Sequence, residues 1–363
     1  MGLGTMSRCH LVVLVVSTTL SLSAPRPRAQ LSEAFEHTDL VRVACSENYL
    51  LPTVTYQPIR PRDSLFVLRI DRASVAGNDD LWILDARRPL IARLDKKGNV
   101  RTVIDREGQG PGELGIPKAI AVAPNTHLYV AEANPARISV YDSTGAFIKS
   151  MRFNPAASAS DLEVDEKGNV YVAITAIRVG SRRKTRDVVH VLHPDGTSSS
   201  FAPVSLQLTE RQPFYRAPIV NSYIALAGDG RLALTHDVAY QLEWYERAGQ
   251  LVQTVSGCSG TIDNKADLVR GYGKEGFKYR RMTHDIAFNR FGVLHHLTPS
   301  VDQGYQLMER YSPTGFRLPP VLLPGRGVPG GIYLSAVLPT SEPNLFWGYQ
   351  HVTGDMVLIE LHL

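Results

Sequence analysis

The sequence predicts an all-β chain, a six-bladed β-propeller of four-stranded antiparallel blades. Three observations carry this. Residues Ile116 to Met151 read as four short strands, Ile120–Ala123, Leu128–Glu132, Ile138–Asp142 and Phe147–Met151, rich in β-branched and aromatic residues and bounded by Pro, Asn and Gly turn chemistry. The spacing of the first two strands then returns: Val75 and Leu81, Val122 and Leu128, Val164 and Val170, Leu226 and Leu232, and Phe288 and Leu294 are each six apart. A glycine turn also recurs at Gly98, Gly145, Gly196, Gly249 and Gly315, with separations of 47, 51, 53 and 66 residues, the length of one blade with insertions. A tight hairpin needs glycine there because it tolerates positive φ.

Taken in order, residues 1–30 read as an export signal. Arg8 precedes the apolar and Ser/Thr stretch Leu11–Leu22, and Ser21-Leu22-Ser23-Ala24 offers small residues for cleavage. The stretch is too short to span a bilayer as a helix, and no Cys directly follows it. A secreted or periplasmic protein without a transmembrane span is expected, with residues 31–363 as a single domain. Five copies of the blade follow from Asp71 onward. A sixth begins at Ile332, with Leu345–Tyr349 and Met356–Leu361 as its second and third strands, and then lacks its fourth. An unpaired edge is a liability, so an N-terminal strand is expected to close the ring. Asp39–Cys45 is the first candidate and Phe66–Ile70 the second, disfavoured because too few residues separate it from the next inner strand to cross a blade. The one candidate for a short helix is Lys265–Tyr272.

The copies resemble NHL-type repeats, and the loop GQGPGELGIP at Gly108–Pro117 is similar to the loop before a blade in secreted bacterial six-bladed propellers. That resemblance implies an architecture that hosts lyases, lactonases and binding proteins, some with a metal at the channel mouth.

With 44% apolar residues the composition suits sheets packed on both faces, and the repeat makes the ring one cooperative unit, expected as a monomer. Beyond the signal only Cys45 and Cys258 remain, expected on different blades and unpaired. No CxxC or HExxH spacing occurs, so no sequence-local zinc site is expected.

In a propeller the inner strands start on the face where second strands end, and ligands bind at that mouth. The register places Asp71, Lys118, Ser160, Ser222 and His284 at inner-strand starts. Asp85, Glu132, Ile174, His236, Thr298 and Tyr349 fall at second-strand ends. Two insertions, Arg178–Arg186 and Gly257–Thr283, land on the same face and are rich in Arg and Lys, so despite a net charge of only +4 a positively charged top face is expected. The candidate ligand contacts are Lys118, His284, His236, Glu132, Arg87 and Arg137, with Arg182, Arg183 and Arg281 as outer electrostatic contacts. The expected partner is an anionic polysaccharide, an acidic peptide or another protein; export argues against nucleic acid. No cofactor is expected in that reading.

The alternative is a metal-assisted lyase or lactonase, in which His284 and His236 act as acid–base groups and Asp71, Asp85 and Glu132 hold calcium or zinc. Alternation along a strand keeps His284 and Asp285 from facing the channel together. It also sends His295 into an inter-blade slot shared with the column of Trp82, Tyr129, Tyr171 and Phe346. Asp95 and Asp142, ahead of their glycine turns, are expected to accept turn amides.

Overall fold

The computed structural model describes residues 50–61, 69–85, 87–153, 158–177, 187–203, 219–236, 239–256, 285–301, 305–325, 328–350 and 353–362. They contain no helix; they form six four-stranded antiparallel sheets and one additional two-stranded pair, Ala176–Ile177 with Ile219–Val220.

From inner to outer strand, the first blade is Ile70–Val75, Leu81–Asp85, Leu90–Leu94 and Val100–Ile104. The second is Pro117–Val122, Leu128–Ala133, Ala136–Tyr141 and Phe147–Arg152. The third is Ala159–Val164, Val170–Ile174, Asp187–Leu192 and Ser198–Pro203. The fourth is Ser222–Leu226, Leu232–His236, Ala239–Tyr245 and Leu251–Ser256, and the fifth Asp285–Phe288, Leu294–Val301, Tyr305–Tyr311 and Arg317–Pro324. Successive inner strands touch one another around the ring, and the sixth touches the first. All five hairpin glycines adopt φ between 80° and 86°, as the turn requires.

The sixth blade consists of Ala336–Pro339, Leu345–Tyr349 and Met356–His362, and its outer strand is Thr53–Ile59. Pairing runs from Thr53 opposite His362 to Ile59 opposite Met356. Ring closure by an N-terminal strand is therefore observed, but with a different segment from the two proposed. Asp39–Cys45 lies outside the described residues, as does Phe66–Leu68 of the second candidate, whose last residue, Ile70, opens the first inner strand. The sequence TVTYQPI contains Pro58, which argues against a central strand; at a sheet edge its missing N–H costs no ladder bond. The sixth inner strand begins at Ala336, four residues beyond Ile332.

Each core cluster is shared between neighbouring blades. Ile70, Leu81 and Leu94 pack with Trp347, Met356 and Leu358 across the first–sixth seam, and Trp82 and Leu84 pack with Ile120 and Val130 across the next. Burying each such side chain contributes roughly 1.5–3 kcal/mol, and none is available to a blade alone. The first–sixth seam has a polar lock as well. Asp79 accepts the Ser341 amide and hydroxyl, each at 2.6 Å, and its carbonyl accepts the Trp347 indole N–H at 2.8 Å. Lys96 lies between Asp79 and Glu342, at 3.2 and 2.9 Å.

In the first three blades the inner strand skips one residue of pairing, at Asp71, Lys118 and Ser160. These bulges sit at the strand starts and re-aim the side chains around them.

Candidate functional site at the top of the channel

The expected rim residues divide into those already engaged and those with a free polar end. Glu132 is buried, and its oxygens accept Arg137 Nε at 2.8 Å, Ser139 Oγ at 2.5 Å and the Gly115 amide at 2.7 Å. Arg137 also donates to the carbonyls of Gln109 and Glu113 at 2.8 and 2.6 Å. The pair braces the GQGPGELGIP loop, where a Cβ on Gly115 would collide with the Asn134 carbonyl oxygen. Asp85 is buried, accepts the Arg87 amide at 2.8 Å and lies 3.7 Å from Arg88. Asp71 is partly exposed beside Arg69 at 3.9 Å.

His236 is enclosed, with Nδ1 3.0 Å from Ser222 Oγ, and Ser160 Oγ donates to the Ser222 carbonyl at 2.9 Å. Burial lowers the His236 pKa to about 4, so the imidazole is neutral at neutral pH. Lys118 and Arg87 differ from all of these: the Lys118 ammonium and the Arg87 guanidinium make no hydrogen bond or ion pair with the chain. His284, Arg182, Arg183 and Arg281, with both basic insertions, lie outside the described residues.

His295 is buried against Phe346, with ring centroids 5.1 Å apart, in the slot its column predicts. The Asp95 and Asp142 carboxylates each accept turn amides, two per residue at 2.8 to 2.9 Å.

Inside the mouth lies a second cluster, carried by the column one residue past the bulges. In register this column reads Arg72, Ala119, Asp161, Tyr223, Asp285 and Ala336. Arg72 reaches from the first blade past Ala119 of the second to the third, donating from Nε and Nη2 to the Ser160 carbonyl at 2.9 and 2.6 Å. Its Nη1 donates to the Asp71 carbonyl at 2.8 Å, and the guanidinium lies 5.2 Å from the Tyr223 ring centre. Asp161 accepts its neighbour's amide, Leu162, and the Ile224 amide of the fourth blade, both at 2.9 Å.

Burial pushes the Asp161 pKa up to about 6, against the pull of Arg72 and those two amides. Asp285 is held well above the carboxylate range by burial and by Asp161. Glu163, two residues deeper, is raised likewise by burial and then by Asp161 and Asp285. Burial opposes the charge on Arg72, but the surrounding Tyr223, Asp161, Tyr349 and Asp71 outweigh it and keep it protonated. Arg72, Asp161, Glu163 and Asp285 lie deep in the molecule yet keep accessible surface. Groups that are both line an internal channel.

Sequence reasoning selected the bulge column and so missed Arg72, Asp161, Glu163 and Tyr223. The signal was available one position along, where charged residues interrupt otherwise apolar inner strands. Among the described residues no three His, Cys, Asp or Glu side chains converge to hold a metal ion, and the oxygens of Glu132 accept hydrogen bonds from Arg137, Ser139 and the Gly115 amide.

No family model matches the chain, and no curated protein matches it. Solved structures do. A catalytically inactive virginiamycin B lyase from Staphylococcus aureus, solved with quinupristin, is 11% identical with a TM-score of 0.52, covering 85% of this chain and 99% of that one. A Bacteroides fragilis protein thought to be exported is 12% identical with a TM-score of 0.54, covering 85% of this chain and 94% of that one. A member of the DUF4221 family from Bacteroides vulgatus is 10% identical with a TM-score of 0.52, over 85% and 98%. At such identities the likeness shows the fold, a six-bladed β-propeller, and nothing of the activity. Among the described residues no helix is long and apolar enough to cross a membrane.

Proposed function

We propose that this chain is an extracytoplasmic binding propeller that recognises an anionic ligand or partner on its top face. The observation that carries the reading is that Lys118 and Arg87, on one rim of adjacent blades, have no counter-charge, whereas Arg137 nearby is consumed by Glu132. Unpaired cations at a channel mouth attract anions and accept their oxygens directly. Arg182, Arg183 and Arg281 extend this field in the proposal, and its extracytoplasmic setting is supported by the signal-like residues 1–30 and by the likeness to a protein thought to be exported.

The test is the affinity of the full chain for a sulfated oligosaccharide such as a heparin fragment, measured across salt concentrations. Lys118→Ala with Arg87→Ala should weaken binding about tenfold or more and flatten its salt dependence; an unchanged affinity would remove these residues from the site.

A second reading has one specific support. Asp161, poised near 6 beside Arg72, has the proton affinity of a general acid or base, and one matched structure is a lyase. In that reading catalysis uses the inner column, Asp161 and Asp285, rather than Asp85 and Glu132.

A further inference from the structure

A groove opens on the face away from the rim, between the hairpin ends of the first two blades. It holds about 430 Å³ and is lined by Asn78, Asp80, Arg93, Arg101 and Thr102 of the first blade and by the Ser143-Thr144 turn of the second. That volume falls in the roughly 300–1,000 Å³ range of small-ligand sites. Arg93 is out of place there by the chain's own pattern. The third-strand position paired with Trp82 in the first blade is Val140, Val191, Trp244 and Ile359 in the second, third, fourth and sixth blades, each a core residue. Only the fifth blade, with Arg310, repeats the charge.

Arg93 is held in place on three sides. Its Nε donates to Asp80 Oδ2 at 2.8 Å and its Nη1 to the Ser143 carbonyl of the second blade at 2.7 Å, while the guanidinium lies 5.8 Å from the Trp82 ring centre. Arg101 is anchored at one end, Nη2 donating to Asp95 Oδ2 at 2.7 Å. Asp80 Oδ2 accepts the Asn78 side-chain amide at 3.0 Å as well as Arg93. Among the described residues, nothing engages Arg93 Nη2, Arg101 Nε and Nη1, Asp80 Oδ1 or the Thr102 and Ser143 hydroxyls. A structural bridge from Asp80 through Arg93 to Ser143 requires neither an open groove nor this set of free donors and acceptors.

We infer that this groove binds a neutral saccharide through its vicinal hydroxyls, which accept from Arg93 Nη2 and Arg101 and donate to Asp80 Oδ1. Each guanidinium already has a carboxylate, Asp80 for Arg93 and Asp95 for Arg101, so the groove has no excess charge to draw an ion of either sign. The free Asp80 oxygen opposes an anion, and the free guanidinium N–H groups oppose a cation. No aromatic or long aliphatic side chain lines the groove, so an apolar molecule gains little by entering. A sugar hydroxyl both donates and accepts, which matches alternating free N–H groups and oxygens. Its bonds here are charge-assisted, and the side chains that make them are already fixed, which lowers the ordering cost of binding. The inference is independent of anion binding at Lys118 and Arg87, which lie on the other face.

Backbone amide chemical shifts of the full chain, followed during titration with maltose, cellobiose and lactose in turn, test it. Sodium sulfate, an anion, and isopropanol, with a single hydroxyl, are the controls. The expected result, for at least one disaccharide, is a saturable change at Asp80, Thr102, Ser143 and Thr144 with a Kd of about 1 mM or tighter, and none there with either control. Arg101→Met and Thr102→Val leave the bridge through Arg93 intact, and each should weaken binding about threefold or more. Arg93→Met should abolish it. A cooperative thermal melt confirms that each variant is folded. No saturable change at the groove with any of the three disaccharides, a change shared with sulfate or isopropanol, or an affinity unchanged in both Arg101→Met and Thr102→Val would overturn the inference. Heparin-fragment binding by the same samples reports separately on the rim.

Discussion

Arg72 of the first blade and Ser160 of the third are joined by two hydrogen bonds to one carbonyl oxygen, at 2.9 and 2.6 Å. The guanidinium crosses an entire blade to make them, and it does so because the second blade offers only Ala119 at that position. A planar fork with a fixed charge suits this span; a lysine would bring a single compact ammonium.

Arg72→Met should therefore destabilise the ring by about 3 kcal/mol, in the range for breaking a buried charged network from one side. Arg72→Lys should recover only part of that. Urea denaturation of the three proteins measures both, and equal midpoints would show that the span contributes nothing to stability.

The channel carboxyls make stability fall as pH rises. A carboxyl with a raised folded pKa binds its proton more tightly in the folded state, so its contribution is complete below the unfolded value and is lost as pH passes the folded one. For Asp161 that window runs from 3.8 to about 6, worth up to roughly 3 kcal/mol. Glu163 and Asp285 extend the decline to higher pH. Glu163→Gln should be more stable than the parent at pH 8 by about 1–2 kcal/mol and indistinguishable from it near pH 4. Denaturation midpoints that stay parallel across this range would contradict it.

Arg137→Ala leaves the Glu132 carboxylate buried with only Ser139 Oγ and the Gly115 amide. A loss of about 3 kcal/mol is expected, concentrated in the loop that Arg137 holds through Gln109 and Glu113. Hydrogen exchange of the Gly115 amide should accelerate more than that of Val130. Uniform acceleration would place the role of Arg137 in global stability instead.

The seam between the first and last blades depends on Asp79, whose carboxyl is held below its usual value: burial acts the other way, but the Ser341 and Lys96 hydrogen bonds prevail. A depressed carboxyl stabilises above its unfolded pKa and loses that contribution as pH falls through the folded value, here below 3.8. Asp79→Ala should cost about 2–3 kcal/mol at pH 7 and show a smaller loss than the parent on acidification below pH 4. Equal acid sensitivity would separate Asp79 from ring closure.

The repeat made the blades legible: Val122 with Leu128 and its four counterparts fix one hairpin register each, and Gly98 to Gly315 fix another. The closing strand was less so, because Thr53–Ile59 carries Pro58 and contacts the last blade across the whole chain, a relation that no local pattern encodes. The candidate site was half legible. Lys118 and Arg87 follow from register alone, whereas the bulges at Asp71, Lys118 and Ser160 bring the next column into the channel, and alternation counted from the sequence does not contain them. Glu132 and Arg137 look alike as rim residues in sequence, and only their hydrogen bonds identify them as a brace for the loop ahead of the second blade.

Backbone amide chemical shifts of the full chain, followed during titration with a heparin fragment, test the central claim most directly. The account predicts saturable changes confined to the top rim, at Arg87, Arg88 and Lys118 and around the basic insertions, abolished by Lys118→Ala with Arg87→Ala. Changes centred on the opposite face, at the hairpin turns of Gly98, Gly145 and Gly196, or no saturable change at all, would contradict it.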